Sequence, residues 1–413
     1  MCPYPASDFR SLAGRWPGIV MAFRPARART VRMRCGIRMS RTATQSSVND
    51  EERRALIFEL RVRLWGVFTS GAMATFEENA PVLENSRDVA AQPLADHRIE
   101  RIEVTHHALP LDPPFRAAWD SRPQPIVPVS IVRIVSHRGA VGIGTGTALE
   151  GIEHYLDLLV GHDPLDVARH YEVLSNIDFH GCRPWPLDIA LWDLAGKIRG
   201  EPVWRLLGGN SGRVRCYAST GMLRDRSALA DTAAELVDRG FPAIKLRFHR
   251  ADWRDDIRAL ESVRDAVGGS VELLVDCDQG WRMPWDTTPP WTYHQAVVVA
   301  RELAELGVYW MEEPLHRGNC KGMAALRNAV GLRIAAGEMT REEYALNDLL
   351  DWQSVDVLQP NATLTCGITG LASIAARAAR AEVAFTPHTW GNGIGLLANA
   401  HLFAGCGGGP WLE

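Results

Sequence analysis

The sequence predicts an α/β protein whose C-terminal half is a (β/α)8 barrel. After residue 213, strand-like runs alternate with amphipathic helical stretches, and this alternation favours a parallel sheet covered by helices. The helical stretches include residues 228–239, 253–267, 293–306 and 369–381. Eight strand-like runs lie at 216–219, 243–248, 272–277, 308–311, 333–336, 355–358, 383–386 and 411–413. Eight strands in this order indicate a TIM-type barrel, which carries its chemistry at the C-terminal strand ends.

The composition is that of an ordinary globular protein. Of 413 residues, 46% are hydrophobic and 23% are charged. The formal net charge of −4 and the pI near 6.4 do not indicate a nucleic acid or a membrane surface as partner, so we expect a small-molecule ligand. The eight cysteines are scattered without a CxxC motif, and we expect them to be reduced in a cytoplasmic protein.

The first 95 residues differ in composition from the rest of the chain. Residues 1–41 contain nine arginines and one acid, Asp8, a composition that resembles an organellar transit peptide. We expect residues 1–95 to be an Arg-rich extension that is disordered or that results from a start codon assigned too early. The foldable chain then divides into residues 96–213 and a barrel domain at residues 214–413.

The region before the barrel predicts two antiparallel strands and a helix. The strand-like runs IERIEVTHHALPL and IVPVSIVRIVSHRGAVGIGTG are joined by a Pro-rich stretch at residues 110–125, interpreted as a mobile loop. Gly142, Gly144 and Gly146 alternate within the second run. No helix start follows them directly, which argues against a phosphate-binding loop. Residues 186–197 have the apolar spacing of a packing helix.

Polar or ionisable side chains lie at the C-terminal end of every predicted strand from the second to the eighth. One such group beside a strand is common, whereas seven strands in succession indicate a site at the barrel mouth. The residues are Lys245, Arg247, Asp276, Asp278, Glu312, Glu338, Asn361, His388 and Glu413.

Three of these carboxylates predict a metal site. Asp276, Glu312 and Glu338 follow three consecutive strands, so the barrel should bring them to one side of its mouth. Close carboxylates repel one another unless a cation lies between them. Oxygen ligands without a nearby cysteine favour Mg²⁺ or Mn²⁺ over Zn²⁺. Asp278 shares the inward face of its strand with Asp276 and is expected to support a ligand or to contact the substrate.

Two candidate acid/base groups should lie across the mouth from each other. Arg247 cannot release a proton and is therefore not a base. Lys245 can act as one if burial, the neighbouring Arg247 and a nearby metal lower its pKa. His388, on the seventh strand, needs no such lowering, because imidazole side chains exchange protons near neutral pH. A divalent metal with such groups can remove a proton next to a carboxylate and stabilise the resulting enediolate.

These motifs resemble those of the enolase superfamily, in its mandelate racemase / muconate lactonizing enzyme-like branch. The resemblance extends from about Ile99 to Glu413. It is carried by LDIALWDLAGK at 187–197, IKLR at 244–247, VDCDQGW at 275–281, EEP at 312–314, AGE at 336–338, QPN at 359–361 and TPH at 386–388.

The resemblance implies an α+β N-terminal capping domain at residues 96–213, whose Pro-rich loop is a lid over the substrate. It implies Mg²⁺ on Asp276, Glu312 and Glu338, with acid/base groups on the second and seventh strands. It also implies a small carboxylate substrate and leaves a homo-oligomer open. Arg247, Asp278, Asn361 and Glu413 are assigned to substrate binding or to the support of other site residues.

Three departures from the family pattern bear on the chemistry. The second strand commonly carries Lys-x-Lys, where this chain has Lys245 and Arg247, and the seventh-strand His commonly pairs with an Asp, where this chain has Asn361. An Asn can orient an imidazole but cannot stabilise its protonated form, which favours His388 as the acid toward a leaving hydroxyl. Members also continue past the eighth strand, whereas this chain ends at Glu413. We therefore expect the C-terminal tail of the cap to be missing, in a fragment or an unusual member.

Three functions compete on this evidence. The first is a hydro-lyase that dehydrates an acid sugar, an aldonate or aldarate, to a 2-keto-3-deoxy acid. The unlike groups Lys245 and His388 favour it, as does the run DCDQGW, which resembles sugar-acid dehydratases. The second is a racemase or epimerase of a 2-hydroxy or related acid, which needs two groups that each gain and lose the proton. The third is an inactive or truncated carboxylate-binding relative, suggested by Arg247, Asn361 and the end of the chain.

Overall fold

The computed structural model describes residues 97–147, 149–287 and 289–413. The prediction for residues 1–95 lies outside these described residues. Within them, an antiparallel three-stranded sheet and its helices precede a curled parallel sheet with helices on its outside. This is the predicted TIM-type α/β architecture with an N-terminal cap. No helix in this part of the chain is both long and apolar enough to cross a bilayer.

The cap sheet is a long hairpin followed by a third strand. Strands β1 (Ile99–Phe115), β2 (Gln124–Ser136) and β3 (Val141–Gly146) are antiparallel and lie in the order β1-β2-β3. The prediction of a loop over residues 110–125 is therefore wrong in extent, since Pro110 pairs with Ile126 and Phe115 with Gln124. Because β1 is an edge strand, its prolines need no inward-facing N–H donor. Only residues 116–123 connect the two strands.

The alternating glycines of β3 allow a helix to approach the sheet closely. Helix α2 (Trp185–Arg199), the predicted packing helix, lies against β3 with most of its side chains buried. A Cβ at Gly142 would overlap the carbonyl oxygen of Ala190, and one at Gly144 would overlap that of Pro186. The glycines therefore serve backbone packing, which agrees with the argument against a phosphate loop.

The remaining elements before the barrel are helical. They are a 3₁₀ helix (Ile152–Leu158) and the helices α1 (Val167–His180) and α3 (Val203–Leu206). The apolar core shared by the sheet, the 3₁₀ helix, α1 and α2 includes Ile134, Leu149, Leu174, Leu187 and Leu194, all fully buried. Tight burial of these aliphatic side chains stabilises the cap and fixes α2 under the sheet.

The barrel follows as a regular alternation of strands and helices. The strands are β4 (Ala218–Ser219), β5 (Ala243–Arg247), β6 (Glu272–Asp276), β7 (Val308–Glu312), β8 (Arg333–Ala336), β9 (Val357–Leu358) and β10 (Ala384–Phe385). The helices are α4 (Arg226–Asp238), α5 (Trp253–Val267), α6 (Tyr293–Glu305), α7 (Cys320–Ala329), α8 (Glu343–Asp351), α9 (Gly367–Arg380) and α10 (Gly393–Gly405). All seven strands are parallel to their neighbours and lie in sequence order.

The last residues of the chain close the barrel. A parallel bridge joins Cys216 and Leu412. The N–H of Tyr217 donates to the carbonyl of Leu412 at 2.9 Å, and the N–H of Gly409 donates to the carbonyl of Phe385 at 3.2 Å. The eighth strand position therefore lies between β10 and β4, where the sequence predicts it.

Apolar side chains fill the barrel below its mouth. Leu274, Trp310, Val357 and Trp411 form one buried cluster together with Tyr217, Ala243 and Ala335. The ring centres of Tyr217 and Trp310 are 5.7 Å apart, edge to face. Side chains alternate along a strand, so the inward positions two residues farther on reach the mouth. There they are ionisable, and the aromatic layer forms a dry floor beneath them.

Candidate metal centre and acid/base site

The structure brings all nine predicted site residues together at the barrel mouth. Eight of them are buried residues, and the side chain of the ninth, Glu413, is only 5% exposed, although each carries a charged or polar group. The site follows directly from strand alternation, since Lys245 and Arg247 lie on one face of β5 and Asp276 ends β6 with Asp278 just beyond it. The set is Lys245, Arg247, Asp276, Asp278, Glu312, Glu338, Asn361, His388 and Glu413.

Asp276, Glu312 and Glu338 form a compact carboxylate triad. Each offers an oxygen within 4.8 Å of one from each of the others. Burial raises the pKa of Asp276 and of Glu312, with neighbouring carboxylates adding to the effect and nearby cations opposing it. Collecting three acids in a dry site is therefore unfavourable without added positive charge.

A backbone or indole N–H donates to one oxygen of each triad carboxylate. The backbone N–H of Asp278 donates to Oδ1 of Asp276 at 3.0 Å. The indole Nε1–H of Trp281 donates to Oε1 of Glu338 at 2.7 Å, and that of Trp310 to Oε2 of Glu312 at 3.2 Å. Supporting hydrogen bonds of this kind are typical of metal-ligating side chains. Because all the candidate ligand atoms are oxygens, the triad fits a hard divalent cation such as Mg²⁺.

Lys245 is fully buried among carboxylates. Its Nζ lies 2.8 Å from Oε1 of Glu312, 3.0 Å from Oε1 of Glu413 and 3.9 Å from Oδ2 of Asp276. Burial alone would lower its pKa, but Glu312 and Glu413 outweigh burial and raise the pKa well above its ordinary value. In this structure the two carboxylates therefore outweigh burial and Arg247, the two contributions that lower the pKa.

Arg247 connects the triad to the cap. Its guanidinium contacts Oδ2 of Asp276, lies 3.4 Å from Glu413 and 3.6 Å from Asp278, and is 5.2 Å from the ring centre of Trp119. An always-charged planar group between an aromatic face and carboxylates is suited to hold an anionic substrate rather than to accept a proton.

Two buried acids at the mouth have no hydrogen-bond donor. Both carboxylate oxygens of Asp278 lack one, and so do both oxygens of Glu313. Burial raises the pKa of each well above its usual range, and neighbouring carboxylates raise it further. Both residues have left-handed backbone, at φ 50° and φ 46°, which non-glycine residues seldom adopt. Sequence reasoning quoted Glu313 in the EEP motif but gave it no role.

His388 lies across the triad from Lys245. Its Nε2 is 3.2 Å from Oε2 of Glu338 and 3.5 Å from Oε2 of Glu413, and its Nδ1 is 3.4 Å from Nδ2 of Asn361. Glu413 therefore lies between the two acid/base candidates. Burial tends to raise its pKa, but Lys245, His388 and Arg247 outweigh burial and lower the pKa far below its ordinary value.

The loop between β1 and β2 reaches over this mouth with an aromatic side chain. The ring centre of Trp119 is 4.9 Å from that of Trp390 and 5.4 Å from that of Trp281. The indole of Trp285 donates to the carbonyl of Trp119 at 2.8 Å, and Ala118 donates its N–H to Gly221. The predicted lid is therefore placed over the site, as a shorter loop. No role in the site was predicted for these tryptophans from the sequence, although Trp119 is the one tryptophan in the Pro-rich stretch at residues 110–125.

His249 is a further residue that sequence reasoning missed. It continues the inward face of the second strand two positions beyond Arg247. Its ring nitrogens lie 3.8 Å from Asp278 and 3.9 Å from Asp286. Burial lowers its pKa, and Asp286 opposes this. The signal was available in the sequence, since Lys245, Arg247 and His249 repeat with the period of a strand.

Known proteins share this organisation. The N-terminal domain family of mandelate racemase / muconate lactonizing enzyme matches residues 99–208, and the enolase C-terminal domain-like family matches residues 228–413. A D-galactarolactone cycloisomerase of Agrobacterium fabrum is 30% identical over 314 residues, which cover 71% of this chain and 79% of that protein. An L-Ala-D/L-Glu epimerase of Bacillus subtilis is 26% identical over 328 residues, covering 74% of this chain and 85% of that protein.

Solved structures agree with these sequence relatives. The crystal structure of L-talarate/galactarate dehydratase from Salmonella typhimurium, liganded with Mg and L-lyxarohydroxamate, has a TM-score of 0.68 and 28% identity. The match covers 77% of this chain and 83% of the dehydratase chain. The relatives are enzymes that include acid-sugar dehydratases, cycloisomerases and epimerases. The barrel, the cap and the carboxylate triad agree with these matches, and the chain belongs to the enolase superfamily, in its mandelate racemase / muconate lactonizing enzyme-like branch.

Proposed function

We propose that the protein is a Mg²⁺-dependent hydro-lyase that converts an acid sugar, an aldonate or aldarate, to a 2-keto-3-deoxy acid. The observation that carries the proposal is the presence of two chemically unlike groups, Lys245 and His388, around one carboxylate triad. Two unlike groups suit a dehydration, because one can remove the proton while the other assists the leaving oxygen. The similarity to an L-talarate/galactarate dehydratase supports this reaction class.

The chemical difficulty lies at the carbon next to the substrate carboxylate. Its proton is weakly acidic, and removing it places a second negative charge on the carboxylate oxygens. Preorganised positive groups in a dry site stabilise such charge as it develops. Asp276, Glu312 and Glu338 would hold the metal, which when bound supplies a Lewis acid for the substrate carboxylate. Arg247 adds a fixed positive charge at the same side of the mouth.

Lys245 is the proposed base. Arg247 cannot accept a proton, because its guanidinium stays charged at any accessible pH. The ammonium of Lys245 is held by Glu312 and Glu413, and it must lose a proton before it can act. Its position on the buried inward face of β5 places Nζ beside the triad, where the substrate carboxylate would lie. This position supports Lys245 as the base among the residues of this strand.

His388 is the proposed partner of the leaving group. The proton removed from C2 goes to Nζ of Lys245, and the electron pair moves to form a C2–C3 double bond as the C3–O bond breaks. The departing hydroxide takes the proton carried by Nε2 of His388 and leaves as water, so that Lys245 has gained one proton and His388 has lost one, and the resulting enol becomes the 2-keto acid. His388 faces the mouth with Nε2, the nitrogen placed to donate to that oxygen. Asp278 and Glu413 are proposed to contact substrate hydroxyls or to position these groups.

The test is incubation of the full chain with a panel of aldonates and aldarates in the presence of Mg²⁺. The proposal expects formation of a 2-keto-3-deoxy acid from at least one member of the panel. Lys245→Met should lower kcat by at least about 100-fold, the usual contribution of a positioned acid or base. Absence of any keto product from the panel would count against a dehydratase.

The same panel in deuterated water distinguishes the reaction classes. Exchange of the α-proton without keto acid would indicate a racemase or epimerase instead, in line with the epimerases among the relatives. Neither exchange nor product, with Mg²⁺ bound, would favour a carboxylate-binding relative without turnover.

A further inference from the structure

The orientation of the Asn361 side chain is fixed by groups that cannot reverse their hydrogen-bonding role. An amide has a carbonyl end that accepts and an NH₂ end that donates, and its orientation must be assigned from its neighbours. A backbone N–H can only donate, and a backbone carbonyl can only accept. Asn361 and its neighbour Asn399 are both buried and both contact such backbone groups.

Backbone groups fix the orientation of the Asn399 amide, on helix α10. The backbone N–H of Ala362 donates to Oδ1 of Asn399 at 3.0 Å, which identifies its carbonyl end. Its Nδ2 accordingly donates to the carbonyl of Gly395 at 3.2 Å and to Oδ1 of Asn361 at 3.1 Å. A rotated Asn399 amide would place a donor against the Ala362 N–H and an acceptor against the Gly395 carbonyl.

Asn361 is the second amide, and its carbonyl end is held by three donors. Its Oδ1 accepts from the backbone N–H of Thr363 at 3.0 Å, from the hydroxyl of Thr363 at 2.9 Å and from Asn399. Rotation of the amide would place its NH₂ group against the Thr363 N–H and the Asn399 NH₂. An uncompensated buried donor costs about 1–3 kcal/mol, so the observed orientation is strongly preferred.

His388 must therefore receive a hydrogen bond at Nδ1. Nδ2 of Asn361 lies 3.4 Å from Nδ1 of His388 and carries only hydrogens on that side. The neutral ring satisfies this contact when Nδ1 offers its lone pair and Nε2 carries the hydrogen. The surroundings of Nε2 agree, because its neighbours are carboxylate oxygens of Glu338 and Glu413, both acceptors.

We propose that Asn399 is a positioning residue that, through Asn361, holds His388 with its hydrogen on Nε2. His388 then presents an N–H to the substrate instead of a lone pair, and it acts as a hydrogen-bond donor to a substrate oxygen. A neutral histidine in this role can polarise or assist a substrate oxygen, as in triosephosphate isomerase. Lys245 then remains the residue that removes the α-proton. Only the identity of the assisted oxygen rests on the proposed dehydration.

Nuclear magnetic resonance of the ¹⁵N-histidine-labelled full chain tests the assignment without turnover. Long-range ¹H–¹⁵N correlation spectra distinguish a protonated ring nitrogen from one with a lone pair, and His388→Gln identifies the signals. At a pH at which the ring is neutral, we expect the lone pair on Nδ1 and the hydrogen on Nε2. A wild-type ring with its hydrogen on Nδ1 would overturn the proposal.

Two variants test the chain of contacts. Asn361→Asp offers His388 an acceptor, so the hydrogen should move to Nδ1, whereas an unchanged ring would overturn the role of Asn361. Asn399→Asp keeps the acceptor for Ala362 but loses the donor to Asn361, and part of the population should shift to the Nδ1-protonated form. An unchanged spectrum in this variant would overturn the role of Asn399.

Asn176→Asp, at an exposed amide on α1, is the matched control and should leave the His388 spectrum unchanged. Because no substrate is involved, a failed dehydratase assay and a failed tautomer assignment are separate results.

Discussion

Two regions of the molecule bury carboxylates in opposite ways. Under the cap, Asp188 on α2 is fully buried, and it accepts hydrogen bonds from the hydroxyl of Thr369 at 2.6 Å and from its N–H at 3.0 Å. At the barrel mouth, Asp278 and Glu313 are equally buried and have no donor. Satisfied buried groups support a fold, whereas unsatisfied ones cost stability and tend to mark functional sites. The contrast separates residues that hold the cap to the barrel from residues kept for a ligand.

The same contrast applies to packing. At the contact between β3 and α2, glycines bring backbone against backbone with no space for a methyl group. The mouth instead collects positive and negative side chains around the triad, and its aromatic cover comes from a loop. We therefore expect changes in the first region to affect stability and changes in the second to affect binding and turnover.

The largest effect should come from the triad. Asp276→Asn, Glu312→Gln and Glu338→Gln each remove a charged ligand while preserving shape, and each should weaken Mg²⁺ binding by more than about 100-fold, exceeding the effect of losing a supporting residue. Isothermal titration of the full chain with Mg²⁺ measures this. Glu338→Gln should change the unfolding free energy least, whereas Asp276→Asn and Glu312→Gln also take a charged partner from Arg247 and from Lys245 and should lower it.

Glu305→Gln, at an exposed position at the end of α6, is the control for the triad variants. It should bind Mg²⁺ like the wild type. If the wild-type chain itself binds no Mg²⁺, the metal assignment fails, and the interpretation as an inactive relative gains support.

An intermediate effect is expected at the cap contact. In Gly144→Ala the new methyl group would overlap the carbonyl oxygen of Pro186, a backbone atom that cannot rotate away. The free energy of unfolding should fall by about 3 kcal/mol, at the upper end for overpacking. Chemical denaturation measures the loss. In Gly331→Ala the methyl group meets no atom within 4 Å, and this control should change stability by less than about 0.5 kcal/mol. Equal losses in both variants would refute the packing argument.

Much of the fold was predictable because periodicity reports burial directly. Helix α5 spans the predicted residues 253–267, and β8 spans the predicted 333–336. Once the eight strands were placed, the barrel topology alone required Lys245, Asp276 and His388 to converge. Side-chain alternation then predicted that Arg247 shares the inward face of Lys245 and that Asp278 shares that of Asp276.

The remainder depends on contacts between distant parts of the chain. The prolines of β1 lie in a strand because that strand is at the edge of its sheet, which local sequence does not show. The pKa of Lys245 is raised by Glu312 at 2.8 Å and by Glu413, from the far end of the chain, at 3.0 Å. Likewise, the ring centre of Trp119 lies 5.2 Å from the guanidinium of Arg247 because the loop between β1 and β2 crosses the barrel mouth.

The smallest effect should be a pH dependence of stability at Asp188. Burial raises its pKa from 3.8 to about 6, while hydrogen bonds from Thr369 and Ile368 oppose the rise. Between these two values the folded chain binds more protons at this site than the unfolded chain does. The unfolding free energy therefore falls as pH rises from about 4 to 6, by at most about 1.4 kcal/mol per pH unit from this residue.

Asp188→Asn removes this titration, so its unfolding free energy should decrease less steeply over that range than that of the wild type. The variant also loses one acceptor for Thr369, which lowers stability by a similar amount at every pH and leaves the slope as the informative quantity. Denaturant unfolding at several pH values gives both slopes, and Asp231→Asn, at an exposed position on α4, should keep that of the wild type. Parallel curves for wild type and D188N would mean that the fully hydrogen-bonded carboxyl of Asp188 stays charged over this pH range.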